Sequence, residues 1–308
     1  MPRVAVIMAC YNAMPYLPEA IDSVLQQTYR DLQLVVINDG STDESGDYLE
    51  RRRARDSRMI VAHQPNLGQQ AAADHGIRIS NSEFIARMDS DDVTDLDRFD
   101  KQVAFMDTHP EVGLSGGQLR RMGSHKAGLV SNLPLHHDEI VAGLLKNHHT
   151  MCNGTCIYRR SLFEAIGGYW KHNIAEDWDM FLRMAERSRL ANQKDCFLSY
   201  RQHTQSVNGR RIVEAQLYNE YAAHLYLLRA DSKPEIPFEE FLAQHRSQRW
   251  PTSWQFYMDA QSIGQYREAI AEIYSGRPVL GYGRLAFSMM MSPGRTLRRI
   301  HNMLVKAK

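Results

Sequence analysis

The amino-acid sequence predicts an α/β protein, with a mostly parallel sheet flanked by helices and a helical C-terminal extension. Two observations support this prediction. Within the first ninety residues, short apolar runs of strand length alternate with segments whose apolar residues recur at helical spacing. After about residue 210 the apolar pattern is mainly helical. Strands that alternate with helices form right-handed crossovers, which place the strands in a parallel sheet with helices on both faces.

The first ninety residues contain the clearest elements. Their strands are nearly continuous apolar runs, which is typical of parallel strands buried on both faces. In chain order, the predicted elements are a strand Val4–Ala9, a helix through Leu17–Leu25, a strand Gln33–Ile37, a helix Tyr48–Arg55, a strand Met59–Ala62, a helix Gln69–Ile79 and a strand Phe84–Met88.

The rest of the chain is less regular. Its predicted elements are a helix Gln102–Thr108, an extended segment Val112–Leu119, a loop Ser124–His136, a strand Thr150–Tyr158, an amphipathic helix that begins at about Ala175, and helices near 213–229, 236–248 and 253–275. We therefore expect two domains, a site-bearing domain of residues 1–210 and a mostly helical region of residues 211–308.

Composition narrows the class of protein. The 308 residues include 37 Lys and Arg against 36 Asp and Glu, a formal net charge of +1, so we expect no nucleic-acid partner. The four cysteines suggest no disulfide framework, and no apolar run reaches the ~18 residues of a membrane-spanning helix. The N-terminus has no signal-peptide pattern. These features predict a cytoplasmic protein.

The most informative segment follows the strand Phe84–Met88 and reads Asp89-Ser90-Asp91-Asp92. If the backbone stays extended, Asp89 and Asp91 point to the same side. Two carboxylates ~5 Å apart repel by roughly 3 kcal/mol at an effective dielectric constant near 20. A divalent cation, Mg²⁺ or Mn²⁺, would offset that cost. The alternative is an acidic turn that caps the next helix, which is the commoner explanation of an isolated Asp-x-Asp.

Two further strand ends carry candidate ligand-binding residues. Asp39 closes the second strand and can accept hydrogen bonds from a ligand, and Tyr11 follows the first strand with an aromatic face. Ligands of parallel sheets bind at the carboxyl ends of the strands, where we expect Asp39 and Asp89. A plain turn at Asp39 and a core tyrosine at Tyr11 are the alternatives, and each residue taken alone favours them.

Glu176 and Asp177 open the amphipathic helix. Acidic residues are common in a first helical turn because they complement the helix dipole, so a structural role is the first interpretation. A carboxylate at the rim of a pocket can instead act as general base toward an alcohol. The lone His203, near the end of the first predicted domain, favours a structural role on sequence alone.

Taken together, these motifs resemble those of the family 2 glycosyltransferases, whose GT-A fold is a Rossmann-like sheet flanked by helices. The order and spacing agree over about residues 3–205. Any one of these motifs is modest evidence for the family, whereas the whole set in this order is specific evidence for it. The matching segments are Val4–Asn12, Ser23–Tyr29, Val36–Asp43, Asn66–Gly68, Phe84–Asp92 with Arg98 and Lys101-Gln102, Ile166–Tyr169 and Glu176–Asp179. The chain departs from the family pattern at Ala73-Asp74, where the family has Arg-Asn, so a diphosphate contact is not expected there.

The resemblance implies an inverting enzyme that moves a hexose from a nucleotide-diphosphate sugar, a UDP-sugar by expectation, to a hydroxyl of a glycan or lipid-linked acceptor. It implies Mg²⁺ or Mn²⁺ as cofactor. The implied roles are general base for Asp177 with Glu176 in support, nucleotide binding for Ala9, Tyr11, Asp39, Asp89 and Ser90, and metal binding for Asp91, Asp89 and His203.

Two other functions remain open on sequence alone. A sugar-phosphate nucleotidyltransferase would carry a glycine-rich phosphate loop after the first strand, which Ala9–Tyr16 lacks. A non-catalytic module that binds a carbohydrate or sugar nucleotide would use the same carboxylates only as ligands.

The C-terminus is basic and apolar around Phe287–Leu304. This composition favours either peripheral contact with an anionic membrane or a basic face packed on the rest of the protein.

Overall fold

The structure, a computed structural model, describes residues 1–122, 127–172, 174–202, 212–247 and 252–294. The chain forms two compact units. The first comprises Met1–Arg121 with Leu129–Arg201, and the second comprises Met122–Gly128 with the chain from Gln202 onward. In the described ranges no helix is both long enough and apolar enough to cross a lipid bilayer. The division into domains of residues 1–210 and 211–308 stays a prediction.

The first part of the sheet is parallel. Its elements are β1 (Val4–Cys10), α1 (Leu17–Leu25), β2 (Leu32–Asp39), α2 (Ser45–Arg53), β3 (Met59–Gln64), α3 (Gln69–Ile79) and β4 (Phe84–Asp89). The strands lie in the order β3-β2-β1-β4, and every neighbouring pair among them is parallel. The predicted α/β class is confirmed.

The remaining strands complete a mixed sheet. The elements are β5 (Val93–Thr94), α4 (Arg98–Thr108), β6 (Val112–Met122), β7 (Ala127–Val130), α5 (His137–Leu145), a 3₁₀ helix (Asn153–Thr155), β8 (Ile157–Arg159), α6 (Arg160–Ala165), α7 (Glu176–Ala185) and β9 (Arg189–Arg201). The order continues from β4 through β8, β6 and β9 to β5, and β7 pairs with β6. Strand β8 is antiparallel to both β4 and β6, and β5 is antiparallel to β9.

Two predictions about the middle of the chain are wrong in part. The segment Ser124–His136, predicted as a loop, contains β7, because these residues pair with β6 in a contact that the local sequence does not reveal. The strand predicted over Thr150–Tyr158 begins only at β8. Before it, the backbone N–H of Thr155 donates to the Cys152 carbonyl at 2.9 Å and turns the chain into a 3₁₀ helix.

The described part of the second unit is mostly helical, as predicted. It contains α8 (Ile212–Ala230), α9 (Phe238–Ser247), α10 (Thr252–Tyr274) and α11 (Pro278–Met291). The first three match the predicted helices near 213–229, 236–248 and 253–275. Helix α11 is absent from the sequence prediction, as are α5, α6 and β9.

Apolar side chains cover the parallel strands on both faces. The apolar stripe of α1 is buried at the predicted spacing and belongs to the same core cluster as β1 and β2. Helix α3 lies on the opposite face, where Gly76 permits a close approach, since a Cβ there would lie 2.9 Å from Cγ2 of Ile7. Each Leu, Ile or Val buried in this way contributes about 1.5–3 kcal/mol to folding. This packing fixes the strands whose carboxyl ends form the candidate site.

Arg98, the first residue of α4, is fully buried and joins three segments. Its guanidinium donates to the carbonyls of Gly154 at 2.8 Å, Arg87 at 3.2 Å and Cys156 at 3.2 Å. These acceptors lie on the 3₁₀ helix, on β4 and beside β8. The planar guanidinium of arginine presents five N–H donors in a fixed fork, so it can reach acceptors on separate segments at the same time. Arg98 therefore ties α4 to the strand that ends in the acidic turn.

We expect Arg98→Met to lower the free energy of unfolding by about 2–4 kcal/mol, because carbonyl oxygens buried away from water lose their donor. Urea denaturation followed by circular dichroism measures the change. Arg53→Met is the matched control, since Arg53 is exposed and pairs with Glu50 on its own helix, and it should cost no more than about 0.5 kcal/mol. Equal stability of the two variants would contradict the structural role of Arg98.

Candidate active site

The carboxyl ends of three neighbouring parallel strands bring the predicted residues to one edge of the sheet. Strands β2, β1 and β4 are adjacent in this order. Ala9 of β1 pairs in register with Asp89 of β4, and Cys10 pairs with Asn38 of β2. Asp39 is therefore two strands away from Asp89 along the same edge. This placement agrees with the expectation that both carboxylates lie where ligands of parallel sheets bind.

Asp39 is buried and is held by neutral donors. Its Oδ1 accepts from the Gln64 side-chain amide at 2.7 Å and from the Leu67 backbone N–H at 2.9 Å. Its Oδ2 accepts from the Gly68 backbone N–H at 2.9 Å. Gly68 has a φ of 94° and immediately precedes α3, so this loop conformation suits glycine. The three bonds fix the carboxylate and leave about one of its four acceptor positions for a ligand.

The start of α3 also reaches the second carboxylate. Gln69, the first residue of α3, donates through its side-chain amide to Asp89 Oδ1 at 3.1 Å. Gln70 donates to the Trp170 carbonyl at 2.5 Å, on the segment that leads to α7. Thus a run of four residues, Leu67–Gln70, contacts Asp39, Asp89 and the approach to α7. The sequence alone does not identify Gln69 and Gln70 as site residues, because an uncharged amide at the start of a helix does not by itself indicate a binding role.

Tyr11 follows β1 in a loop that is bonded to the segment after β2. Its side chain is 50% exposed, so the alternative of a buried core tyrosine is wrong. The neighbouring Asn12 accepts through Oδ1 from the Thr42 N–H at 2.7 Å, and its own N–H donates to Ser41 Oγ at 3.0 Å. The two loops therefore support each other, and the ring of Tyr11 remains accessible to a ligand.

The acidic segment forms a turn rather than extended backbone. The Asp92 N–H donates to the Asp89 carbonyl at 3.4 Å, so the alternation that would place Asp89 and Asp91 on one side does not apply. The carboxylates are nevertheless close enough to interact. Burial, followed by the charges of Asp91 and Asp177, raises the pKa of Asp89 to about 6. Ser90, between them, is half-buried.

Asp92 joins this turn to the end of β9. It is 1% exposed, and its Oδ1 accepts from the backbone N–H of Arg201 at 2.8 Å. The guanidinium of Arg201 donates to the Asp91 carbonyl at 2.7 Å. Burial and the charges of Asp89 and Asp91 raise the pKa of Asp92 well above its ordinary value. The end of β9 therefore lies against the acidic turn, two residues before His203, which itself lies outside the described residues.

Glu176 and Asp177 open α7, as predicted, and lie close enough to Asp89 for their charges to interact. Burial, then the charges of Asp177 and Asp89, raises the pKa of Glu176 to about 7. Asp177 Oδ1 accepts from the Trp178 backbone N–H at 2.9 Å. The preceding Ala175 has a φ of 54°, so α7 starts directly after a left-handed residue. The charges of Asp177 and Asp89 thus affect the ionisation of Glu176, and the charge of Asp177 affects that of Asp89.

A buried arginine accompanies these carboxylates. Arg87 on β4 is 1% exposed, and its Nε and Nη1 have no hydrogen-bond partner within the part of the chain that the structure describes. Burial opposes its charge, but the oxygens of Tyr169 and Tyr158, then Asp89 and Glu176, hold its pKa above the ordinary value. Sequence reasoning missed Arg87, although a charge inside the apolar run Phe84–Met88 is the signal that would have found it.

The donors at the turn fit a divalent cation that arrives with a phosphate ligand. In the described ranges, no group of three His, Cys, Asp or Glu side chains is arranged to hold a metal ion. Mg²⁺ and Mn²⁺ prefer oxygen donors, and Mg²⁺ is usually held by one or two carboxylates together with substrate phosphates. Asp89 and Asp91 match that incomplete carboxylate set.

Comparison with known proteins identifies the family of this chain. Residues 5–167 match the family described as Glycosyl transferase family 2. A glycosyltransferase of Haemophilus influenzae is 28% identical over 214 residues, which cover 66% of this chain and 66% of that protein. The amylovoran biosynthesis glycosyltransferase AmsE of Erwinia amylovora is 29% identical over 213 residues, covering 67% of this chain and 79% of AmsE.

Two solved structures share the fold at low sequence identity. Residues 1–349 of S. aureus TarS, in complex with UDP-GlcNAc, superpose with a TM-score of 0.63 at 16% identity over 96% of this chain and 92% of that chain. The mannosyltransferase PcManGT of Pyrobaculum calidifontis, with GDP-Man and Mn²⁺, gives 0.55 at 16% identity over 92% and 87%. Because the family match spans more than half of the chain, this protein belongs to glycosyltransferase family 2 and is a glycosyltransferase.

Proposed function

We propose that this glycosyltransferase moves a hexose from a nucleotide-diphosphate sugar, a UDP-sugar, to a hydroxyl group of a glycan or lipid-linked saccharide, and inverts the anomeric configuration. The main support is the grouping of Asp89, Asp91 and Asp177 at the end of β4, connected through the start of α3 to Asp39. Such a site offers separate positions for the nucleoside, for the diphosphate with its cation, and for the side chain that acts as general base.

In this proposal the nucleoside lies across the ends of β1 and β2. Asp39 accepts a hydrogen bond from the base through its remaining acceptor position, and Tyr11 stacks on the base. Ala9 and Ser90 line the nucleotide, and Asp89 contacts the ribose. The amide contacts from the loop before α3 keep Asp39 oriented before the ligand arrives, which lowers the entropy cost of binding.

Asp91, with Asp89 and His203, would hold Mg²⁺ or Mn²⁺. When bound, the cation would supply positive charge for the diphosphate leaving group. The carboxylates, for their part, would gain a neutralising partner for charges that otherwise repel each other. In support of divalent metal use, the structural neighbour PcManGT was solved with Mn²⁺.

Asp177 acts as the general base in this proposal. It removes the proton from the acceptor hydroxyl, whose oxygen then attacks the anomeric carbon from the face opposite the nucleotide. The bond to the diphosphate breaks in the same displacement, so one inversion results and no covalent enzyme intermediate forms. Glu176 supports the base by its position beside Asp177.

We further propose a role in the synthesis of a cell-surface polysaccharide, which the name of the relative AmsE supports. The cytoplasm is the proposed location, and four free cysteines agree with a reducing compartment. Peripheral contact with a membrane through the basic C-terminal region belongs to the same proposal.

We expect Asp177→Asn to lower kcat by about 10²–10⁴-fold, because the amide does not accept the proton. Affinity for UDP, measured by calorimetry, should change by less than about threefold, since Asp177 does not contact the nucleotide in the proposal. Asp138→Asn is the matched control, an exposed acid in the first turn of α5. A variant that transferred sugar at the normal rate would remove Asp177 from the base role, and the binding-module alternative would then regain support.

We expect Asp91→Asn to weaken Mn²⁺ binding in the presence of UDP by about tenfold or more, because a charged oxygen donor is lost. Electron paramagnetic resonance of free Mn²⁺ measures this affinity without any turnover. The control is Asp47→Asn, which removes the same charge at an exposed position on α2. Unchanged Mn²⁺ affinity, or full transfer activity in excess chelator, would contradict the proposed metal site.

We expect Tyr11→Ala to weaken UDP binding by about tenfold, since stacking of one base on an aromatic ring contributes about 1–3 kcal/mol. Thermal stability without ligand should stay nearly constant, because the ring is half exposed. Isothermal titration with UDP, GDP and CDP tests both the stacking and the choice of nucleotide. Tyr257→Ala, at a residue 41% exposed on α10, is the control. Tighter binding of GDP than of UDP would overturn the UDP assignment.

A further inference from the structure

Two histidines each contact a side-chain amide near the carboxyl ends of β2 and β3. His63 of β3 pairs in register with Asn38 of β2, and its Nδ1 lies 3.0 Å from Nδ2 of Asn38. His75 of α3 has its Nδ1 2.8 Å from Oε1 of Gln64, the last residue of β3. Neither histidine has a role in the proposed transfer reaction. The two amides, however, hold residues of the candidate site.

The bonds of Asn38 determine which of its side-chain atoms faces His63. Asn38 is buried, and its Oδ1 accepts from the Ser41 backbone N–H at 3.1 Å. Nδ2 of Asn38 therefore donates to Nδ1 of His63, so that ring nitrogen carries no proton. Nε2 of His63 carries the ring proton instead and donates to Glu50 Oε1 at 2.9 Å. A proton on Nδ1 would face an N–H donor, so only this tautomer completes the chain of hydrogen bonds.

Gln64 imposes the opposite requirement on His75. The carboxylate oxygen Oδ1 of Asp39 accepts, so Gln64 presents Nε2 to it and donates at 2.7 Å. Oε1 of Gln64 therefore faces His75 and accepts from Nδ1, which carries a proton. If this amide turned over, its oxygen would face the oxygen of Asp39, and two acceptors repel each other. His75 thus keeps Gln64 in the orientation that supports Asp39.

Both amides support residues that the proposed function assigns to the nucleoside. Ser41, which Asn38 holds, accepts through Oγ from the backbone N–H of Asn12 at 3.0 Å, directly after Tyr11. Asp39 is the residue proposed to bind the base. A ligand that meets groups already oriented binds more tightly, because less conformational freedom is lost on binding.

We propose that His63 and His75 are positioning residues for nucleotide binding, which act through the amides of Asn38 and Gln64. Neither ring touches the nucleotide or the reacting atoms in this proposal. The inference rests on the proposed function for the identity of the ligand. The orientation of the two amides is independent of that function, because it follows from hydrogen bonds within the protein.

Paired substitutions separate the hydrogen bonds from the bulk of the rings. Asparagine places a polar atom near the location of Nδ1, an oxygen that accepts at position 63 or a nitrogen that donates at position 75, whereas leucine offers neither. We expect H63L and H75L to weaken UDP binding about five- to tenfold in calorimetry, because the bond to the amide is lost. H63N and H75N should stay within about twofold of the parent.

His109→Leu is the matched control. Nδ1 of His109 lies 2.9 Å from the Phe105 carbonyl, so this ring also bonds through Nδ1. The carbonyl of His109 accepts from Arg159 at 3.3 Å, and Arg159 pairs with Phe84 at the start of β4, away from the carboxyl ends of the strands. H109L should bind UDP like the parent. Parent-like UDP affinity in both leucine variants, or equal losses in the leucine and asparagine variants, overturns the proposal.

Amide hydrogen exchange separates this inference from the proposed function. H63L should speed exchange of the Ser41 N–H by about tenfold, because its acceptor loses a fixed orientation. H75L should do the same for the N–H groups of Leu67 and Gly68, which donate to Asp39. If the parent bound none of UDP, GDP and CDP, the proposed function would fail. Unchanged exchange in both leucine variants would still overturn the positioning role.

Discussion

Repulsion between carboxylates is the constraint around which the site is built. Asp89, Asp91 and Asp92 follow one strand, and α7 adds Glu176 and Asp177 to the same region. Ionised carboxylates that lie close together repel each other, and the repulsion is stronger in a buried site than in water. Burial also opposes ionisation. Together, burial and repulsion raise the pKa values of Asp89, Asp92 and Glu176. A fold keeps such a cluster only when something else offsets the repulsion.

Two arginines provide part of that compensation in different ways. Arg87 is buried beside Asp89 and Glu176, and its charge favours their ionised forms. Arg201 contacts the acidic turn through its backbone N–H and its guanidinium, and so fixes the position of the turn. Neither arginine donates a side-chain hydrogen bond to Asp89 in the described residues. The carboxylate of Asp89 is therefore not held in an ion pair with either arginine, which agrees with the proposal that it faces a ligand.

Part of this arrangement follows from local sequence and part does not. The ends of β2 and β4 are predictable, because each apolar run stops at an aspartate and parallel strands end at one edge. The start of α7 follows from apolar spacing behind Glu176. The acidic turn at Asp89–Asp92 is local, and the sequence offers it as the alternative to extended backbone. The contacts of Gln69 and Arg201 with this segment are not predictable, since they join residues 20 positions apart or more. Strand β7 is missed for the same reason, because its pairing with β6 alone makes it a strand.

The carboxylates of the site accept hydrogen bonds from neutral donors, which orient the carboxylates without pairing their charge. Asp39, Asp89 and Asp92 accept hydrogen bonds from backbone N–H groups or side-chain amides, which are neutral. Elsewhere in the first unit, acids that stabilise the fold pair with cations, such as Asp107 with Arg3 and Asp56 with Arg58. An ion pair orients a carboxylate but cancels its charge, whereas an amide orients it and leaves the charge in place. A site that binds a dication and accepts a proton, as we propose for this one, favours amides, and the start of α3 and the end of β9 supply them.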